Sequence, residues 1–116
     1  MAEKVSSDML RGHTDTVVLS ILKRGDNYGY EIYKSIIAAT GEQFELKEAT
    51  LYASFRRLEK EGYIQSYWGD ESQGGRRKYY RITREGVELH RRNLEDWRFT
   101  NRILAELFGE EWQCAK

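Results

Sequence analysis

Hydrophobic residues recur every three or four positions in three successive segments of the N-terminal half. This spacing predicts helices from Asp8 to about Lys23, over residues 26–40 and over residues 47–62, and a glycine follows or ends each of them. Ser6 or Ser7 is expected to cap the first helix, because a side-chain oxygen there accepts from free backbone N–H groups. The apolar positions of the three helices are Leu10, Val17, Val18, Ile21, Leu22, Ile32, Ile36, Ile37, Leu51, Phe55 and Leu58.

The period changes from helical to extended after the third helix. Residues 63–70 and 76–83 are rich in β-favouring side chains, and the polar, glycine-bearing stretch 70–75 between them predicts a hairpin turn. A last helix follows, with Thr83 as its cap. Its apolar residues lie near heptad spacing at Val87, Leu94, Trp97, Leu104 and Phe108, with Ile103 and Leu107 beside them.

The predicted order of elements is typical of a winged helix-turn-helix. We expect a mainly α fold with a small β-hairpin, in which residues 1–83 form the DNA-binding domain and residues 84–116 a C-terminal dimerisation helix of the same structural unit. The third helix is short enough to enter a major groove about 12 Å wide. The hairpin, as the wing, then brings basic side chains to the flanking DNA backbone.

Composition narrows the class of protein. The chain has 116 residues, enough for one compact core, and its single cysteine, Cys114, excludes an intrachain disulfide. Without a long apolar run or a secretory signal, we expect a cytoplasmic protein with no membrane association. His13 and His90 are isolated, and no metal-ligand spacing, cofactor-binding loop or catalytic motif occurs. We therefore expect no metal, no cofactor and no enzymatic activity.

The charge of the chain is unevenly distributed. The formal net charge is zero, but residues 47–84 contain nine Lys or Arg and five Asp or Glu. Residues 1–46 and 85–116 each contain five basic and seven acidic residues. Any phosphate-binding face is therefore expected in the middle of the chain.

Four segments resemble the PadR family of bacterial transcriptional regulators. They are NYGYEI (27–32), ATLYASFRRLEKEGYI (49–64), SQGGRRKYYRIT (72–83) and the Glu85-Gly86 pair. The resemblance is collinear over about residues 8–90. The short single C-terminal helix is similar to that of the smaller subgroup of the family. The stretch YWGDESQGGRRKYYR (67–81), with Trp97 farther along the chain, resembles the LmrR-like, multidrug-binding branch of this subgroup. The resemblance implies a DNA-binding regulator, and repression is one of its implications.

Candidate DNA contacts lie on the third helix and on the wing. Lysine and arginine side chains can contact phosphates or the edges of guanine bases, and threonine and serine can contact either. A turn that contains glycine can present its basic side chains to the DNA backbone. The predicted DNA-facing residues are Lys47, Thr50, Tyr52, Ser54, Arg57, Gly74, Arg76, Arg77 and Lys78. The alternative is a solvated face on which the third-helix cations pair with neighbouring glutamates, beside a hairpin kept soluble by its charge.

Trp97 has two interpretations. On a long helix with an apolar stripe, it is expected in the core of a dimer. In the LmrR-like branch, the resemblance implies instead a pore between this helix and the first helix of the partner, where the tryptophans of both subunits sandwich flat aromatic drugs. The residues that would line such a pore are Met9, His13, Thr16, Ser20, Asn93, Leu94, Trp97 and Asn101.

Three functions are compatible with these features. The leading hypothesis is a homodimeric repressor that binds an approximately palindromic operator in double-stranded DNA and is released by planar hydrophobic or aromatic compounds. The second is a constitutive regulator of the same fold, without a drug site. The third is a winged-helix module that binds other proteins, against which the basic wing and third helix argue.

Overall fold

The structure, a computed structural model of the chain, describes residues 10, 12–44, 46–69 and 76–109. Within these ranges it contains four helices and three short strands. In chain order they are α1 (Thr14–Arg24), β1 (Asn27–Tyr28), α2 (Gly29–Ala39), α3 (Glu48–Lys60), β2 (Ile64–Trp68), β3 (Lys78–Ile82) and α4 (Arg84–Phe108). The predicted succession of three helices, a β-hairpin and a last helix is confirmed.

The hairpin is part of a small antiparallel sheet with the strand order β1-β3-β2. β2 and β3 run in register from Ile64 opposite Ile82 to Trp68 opposite Lys78. The predicted turn, residues 70–75, lies outside the described residues. The two strands nevertheless have the pairing that a wing requires.

β1 corrects the predicted start of the second helix. Asn27 and Tyr28, expected in the first turn of a helix, are extended and pair with Tyr80 and Tyr79 of β3. The helix therefore begins at Gly29. This third strand ties the connection between α1 and α2 to the base of the wing.

The predicted first helix is interrupted after Leu10, which is itself helical. Gly12 has a φ of 88°, a left-handed conformation that glycine adopts without strain. A turn at this position interrupts the expected helix over residues 8–23, so α1 begins at Thr14. The expected caps, Ser6 and Ser7, lie outside the described residues.

Phe55 of α3 stands at the centre of the core. Its side chain is fully buried and stacks on Tyr80 of β3, with ring centroids 4.5 Å apart. Leu51 and Leu58, predicted on the same apolar face, are buried as well. The rest of the core is formed by Val18, Leu19, Leu22, Ile32, Ile36, Leu46 and Ile64. Because this face of α3 points inward, the opposite face of the helix is left to solvent.

The last helix, α4, starts against the wing and then leaves the body of the molecule. Thr83 caps it as predicted, since its Oγ1 accepts from the backbone N–H of Gly86 at 3.0 Å and donates to the carbonyl of Gly62 at 2.8 Å. His90 is buried, but between residues 95 and 108 every side chain is exposed except the half-buried Ile103. None of the helices in the described ranges has the length and hydrophobicity needed to cross a membrane.

Gly86 sits where α4 meets the backbone just before β2. A Cβ at this position would lie 2.7 Å from Cγ1 of Ile82 and closer still to the carbonyl oxygen of Tyr63. We expect Gly86→Ala to lower the free energy of unfolding by about 1–3 kcal/mol, although alanine is ordinarily the better helix former by about 1 kcal/mol. Chemical denaturation measures the difference.

The matched control is Arg84→Ala, an exposed substitution in the same helical turn. It should leave the free energy of unfolding within about 0.5 kcal/mol of wild type. If Gly86→Ala were as stable as this control, the close seating of α4 on the backbone of Tyr63 would be wrong.

Candidate nucleic-acid interface and ligand cleft

Three of the five DNA-facing residues predicted on the third helix, Lys47, Thr50 and Arg57, are exposed in the structure. Lys47 immediately precedes α3 in an extended conformation, and its side chain is exposed. Thr50, in the first turn, is exposed too. Arg56 and Lys60 add two further exposed cations farther along the helix. These residues form a basic, solvent-facing side on a helix of 13 residues.

Asp15 of α1 binds two residues that were predicted to face DNA. Ser54 is fully buried (0% exposed), and its hydroxyl donates to Oδ1 of Asp15 at 2.5 Å. Arg57 reaches the same carboxylate twice, from Nε to Oδ2 at 3.0 Å and from an amino nitrogen to Oδ1 at 2.5 Å. The prediction that Ser54 faces DNA is therefore wrong, because its side chain points into the contact between α3 and α1.

Arg57 remains exposed to solvent despite this pairing. Its side chain is 55% exposed, and the hydrogen bonds that it donates to Asp15 raise the pKa of the guanidinium above its ordinary value. The expected alternative partners were glutamates on the same helix, whereas the partner observed lies on α1. Sequence spacing gave no signal for this pair, because the two residues are 42 positions apart.

The side chain of Tyr52 packs mainly against other residues of the protein. A Cβ at Gly29 would lie 2.7 Å from the Tyr52 ring, and the ring packs edge-on against Phe55 with centroids 5.3 Å apart. Burial, and then the negative charge of Glu48, raise the pKa of its phenol. Tyr52 is half-buried, so it meets the solvent with only part of its side chain.

The wing presents its cations over aromatic rings. The guanidinium of Arg76 lies 4.8 Å from the ring centroid of Trp68, and that of Arg77 lies 4.8 Å from the ring of Tyr28. Lys78 is exposed and lies 4.0 Å from Glu59. Gly74, the remaining predicted residue of the wing, is outside the described residues. The rings limit the freedom of the long side chains while leaving their charge at the surface.

A groove joins the wing to the start of α2. It encloses about 640 Å³ and is lined by Tyr28, Gly29, Tyr30, Lys34, Tyr52, Arg77, Lys78 and Tyr80. Sequence reasoning missed Tyr30 and Lys34, which contribute an exposed ring and an ammonium 5.4 Å from its centroid. Their spacing of four residues on a helix was the signal that could have identified this pair.

The predicted ligand-contacting residues meet in one cleft between α1 and α4, with a volume of about 630 Å³. Trp97 is 50% exposed there. The predicted residues that line the cleft are His13, Thr16, Ser20, Asn93, Leu94, Trp97 and Asn101. Met9, the eighth, lies outside the described residues. Two helices that are far apart in sequence thus bring the predicted set together.

Hydrogen bonds between polar side chains hold the two walls of the cleft. Nδ2 of Asn93 on α4 donates to Oγ1 of Thr16 on α1 at 2.9 Å. Ser20 Oγ lies 2.7 Å from Nε2 of the buried His90. Burial lowers the pKa of His90, and the positive charge of Lys23 lowers it further. The α1–α4 contact therefore depends on polar pairs as well as on packing.

Asp96 also lines the cleft, beside Trp97. Sequence reasoning did not select it, because an aspartate on a charged, exposed helix has no distinctive pattern. Its carboxylate gives the cleft a negative charge that would favour a cationic ligand over a neutral one. Among the described residues, no group of three or more His, Cys, Asp or Glu is arranged to hold a metal ion.

The chain matches the model of the PadR-like family of transcriptional regulators over residues 18–92. It is 46% identical over 106 residues to a Lysinibacillus sphaericus protein described as uncharacterized, and the match covers 91% of this chain and 96% of that protein.

Solved structures give the same result. A transcriptional regulator from Clostridium thermocellum is similar with a TM-score of 0.83 and 48% identity, over 90% of this chain and 99% of that one. A PadR family transcription regulator from Clostridium difficile is similar with a TM-score of 0.74 and 40% identity, over 84% of this chain and 100% of that one.

The lowered pKa of His90 predicts a dependence of stability on pH. Because the folded chain binds this proton less readily than the unfolded chain, acid favours unfolding. We expect the free energy of unfolding to fall as the pH drops through the ordinary histidine pKa of about 6.5. The fall should be smaller in His90→Gln, as measured by chemical denaturation at a series of pH values.

Glutamine retains a polar group that can face Ser20, so the variant separates the effect of the proton from the loss of the hydrogen bond. An equal pH dependence in both proteins would contradict the assignment of this titration to His90.

Proposed function

Because the chain belongs to the PadR-like family of transcriptional regulators, we propose that it is a homodimeric repressor that planar aromatic compounds release from its operator. The observation that carries the ligand part is the cleft in which residues from α1 and α4 surround the half-exposed ring of Trp97. The basic outer face of α3 and the wing support the proposal that the protein binds DNA.

The proposed DNA contacts divide into two kinds. Thr50 and Lys47 lie at the exposed beginning of α3, the part of a recognition helix that reaches base edges and nearby phosphates. Arg57, held at the surface by Asp15, lies two helical turns from Thr50 along the same helix. Arg77 and Lys78 extend the positive charge to the flanking backbone. Ser54 is removed from the set, and Tyr52 contributes only its exposed part.

The proposal of a homodimer rests on the uncovered half of α4. Its exposed apolar side chains are Trp97, Phe99, Leu104, Leu107 and Phe108, the last of which is 78% exposed. Residues 97, 104 and 108 repeat at intervals of seven and four, the spacing of a seam between two helices. Exposed apolar surface of this extent marks an interaction site. A second copy related by a dyad would cover it, and binding of a palindromic operator would require the two copies of α3 to lie about 34 Å apart.

Release of the operator requires a ligand that prefers one arrangement of the dimer over another. A planar compound in the cleft between α1 and α4 changes DNA affinity only to the extent that its own affinity differs between these arrangements. The cleft borders the part of α4 that we assign to the dimer seam, since Trp97 and Leu104 belong to both. Occupancy of the cleft and the spacing of the two DNA-binding heads are therefore coupled in this proposal.

Arg77→Ala tests the role of the wing in DNA binding. We expect weaker binding to DNA from the promoter of the protein's own gene, and a slope of log affinity against log salt that is shallower by about 0.9 for each phosphate that the variant no longer neutralises. Fluorescence anisotropy of labelled duplex at several salt concentrations measures both quantities. Arg98→Ala, which removes an exposed cation from the middle of α4, is the matched control and should leave the slope unchanged. Equal slopes in the two variants would remove the wing from the interface.

Trp97→Ala tests the ligand site. In wild type we expect ethidium and riboflavin, a planar cation and a planar neutral compound, to quench tryptophan fluorescence with one ligand for two chains. Substitution should weaken the binding of both by about tenfold or more, as measured by the anisotropy of the compounds' own fluorescence, because each site loses its stacking rings. Wild-type fluorescence that neither compound changes would contradict the ligand site and favour a constitutive regulator.

The comparison of the two compounds also tests Asp96. In Asp96→Asn, ethidium should bind about three- to tenfold more weakly, whereas riboflavin should bind as it does to wild type, since only the cation loses a Coulomb attraction. Glu106→Gln, an exposed change on α4 outside the cleft, is the control for net charge. Equal weakening of both compounds in Asp96→Asn would show that the carboxylate does not select for charge.

A further inference from the structure

Asp15 is positioned to connect the ligand cleft to the recognition helix. It lies in the first turn of α1 and accepts hydrogen bonds from Ser54 and Arg57 of α3. We propose that this set of three residues, the Asp15 clamp, makes α1 and α3 move as one body and so transmits the state of the cleft to the DNA-binding surface. The inference rests on the proposed function, because it needs a ligand in the cleft and DNA on α3.

The geometry of the clamp fixes both position and rotation. Ser54 and Arg57 are one helical turn apart on α3, and both reach one carboxylate. Arg57 contacts it through two nitrogens, a fork that determines orientation as well as distance. The apolar contacts between the same helices, made by side chains such as Leu19 and Phe55, are non-directional. They hold the helices together, but the clamp sets how α3 is turned on α1.

On the side of α1 that faces the cleft, the connection begins at Thr16. Thr16 follows Asp15, about 100° farther round the helix, and it lines the cleft and accepts from Asn93 of α4. Ser20, one turn later, lines the cleft as well and contacts His90. A ligand that separates α4 from α1 therefore acts on the same rigid helix that carries Asp15.

The clamp also orients a proposed DNA contact. The guanidinium of Arg57 is 55% exposed while it is bound to Asp15. A shift of α1 carries this guanidinium with it, because the carboxylate holds it by two hydrogen bonds. Asp15 itself is a positioning residue in this account, since it acts on DNA only through Arg57 and the orientation of α3.

Asp15→Ala should abolish most of the effect of the ligand on DNA affinity, while the protein still binds both the ligand and DNA. The quantity to measure is the ratio of promoter-DNA dissociation constants with and without saturating riboflavin, by anisotropy of labelled duplex. In wild type this ratio is expected between about 5 and 150, the usual range of allosteric coupling. In Asp15→Ala it should fall to about two or less, while riboflavin still quenches Trp97 as in wild type. Asp15→Asn keeps an acceptor for Ser54 and should give an intermediate ratio.

The matched control is Glu88→Gln, which breaks the surface ion pair with Arg91 on α4. Neither residue lines the cleft or belongs to the Asp15 clamp, so the ratio should remain that of wild type. An Asp15→Ala ratio equal to wild type, with both ligands bound, would overturn the role of the clamp and leave the proposed function intact. A wild-type ratio of one would overturn the proposed ligand response instead.

A second measurement tests the clamp even if riboflavin has no effect on DNA binding. Hydrogen exchange of the free protein should become faster in α3 of Asp15→Ala, while the first turns of α4 keep wild-type protection. Unchanged exchange in α3 would overturn the clamp whatever the ligand does. Faster exchange in every helix would also overturn it, because it would reveal general destabilisation rather than loss of a specific link.

Discussion

The double packing of α1 is the constraint on which the rest of the structure depends. One face of this helix contributes Val18, Leu19 and Leu22 to the core beneath α3, and another contributes Thr16 and Ser20 to the contact with α4. The position of the recognition helix relative to α4 is therefore defined through α1. If α4 forms the dimer seam, small changes at the contact of α1 with α4 alter the separation of the two DNA-binding surfaces.

The two contacts of α1 differ in chemistry. Towards α3, large apolar side chains such as Phe55 and Leu51 are fully buried, and a well-packed core resists deformation. Towards α4, two hydrogen bonds between half-buried or buried polar groups contribute, each worth about 1 kcal/mol net. Because each hydrogen bond contributes so little free energy, its partners can readily bind water or a ligand instead. The α1–α4 contact is thus the softer of the two.

Sequence patterns predicted the elements well where a single period dominated. The apolar face of α3 was predicted from Leu51, Phe55 and Leu58 because their spacing matches a helix, and the cap of α4 from Thr83. The errors have local or tertiary causes. A left-handed Gly12 interrupts a segment with helical periodicity, and pairing with β3 keeps residues 27 and 28 extended. Neither the conformation of one glycine nor the presence of a distant strand is encoded in the hydrophobic period.

The candidate site was predictable to the extent that it follows helix faces. Spacing and the family resemblance together selected the residues that α1 and α4 bring to the cleft, whereas Ser54 was misassigned because its burial depends on a carboxylate 39 positions away. A polar residue at the edge of a helix's apolar face is expected to be exposed, because a sequence pattern does not show a partner on another element. The same reasoning explains why Asp15 was overlooked: its neighbours in sequence form no distinctive pattern, and its proposed role depends on partners in α3. Residues that connect sites are in general harder to identify from sequence than residues that form them, since their partners belong to other elements.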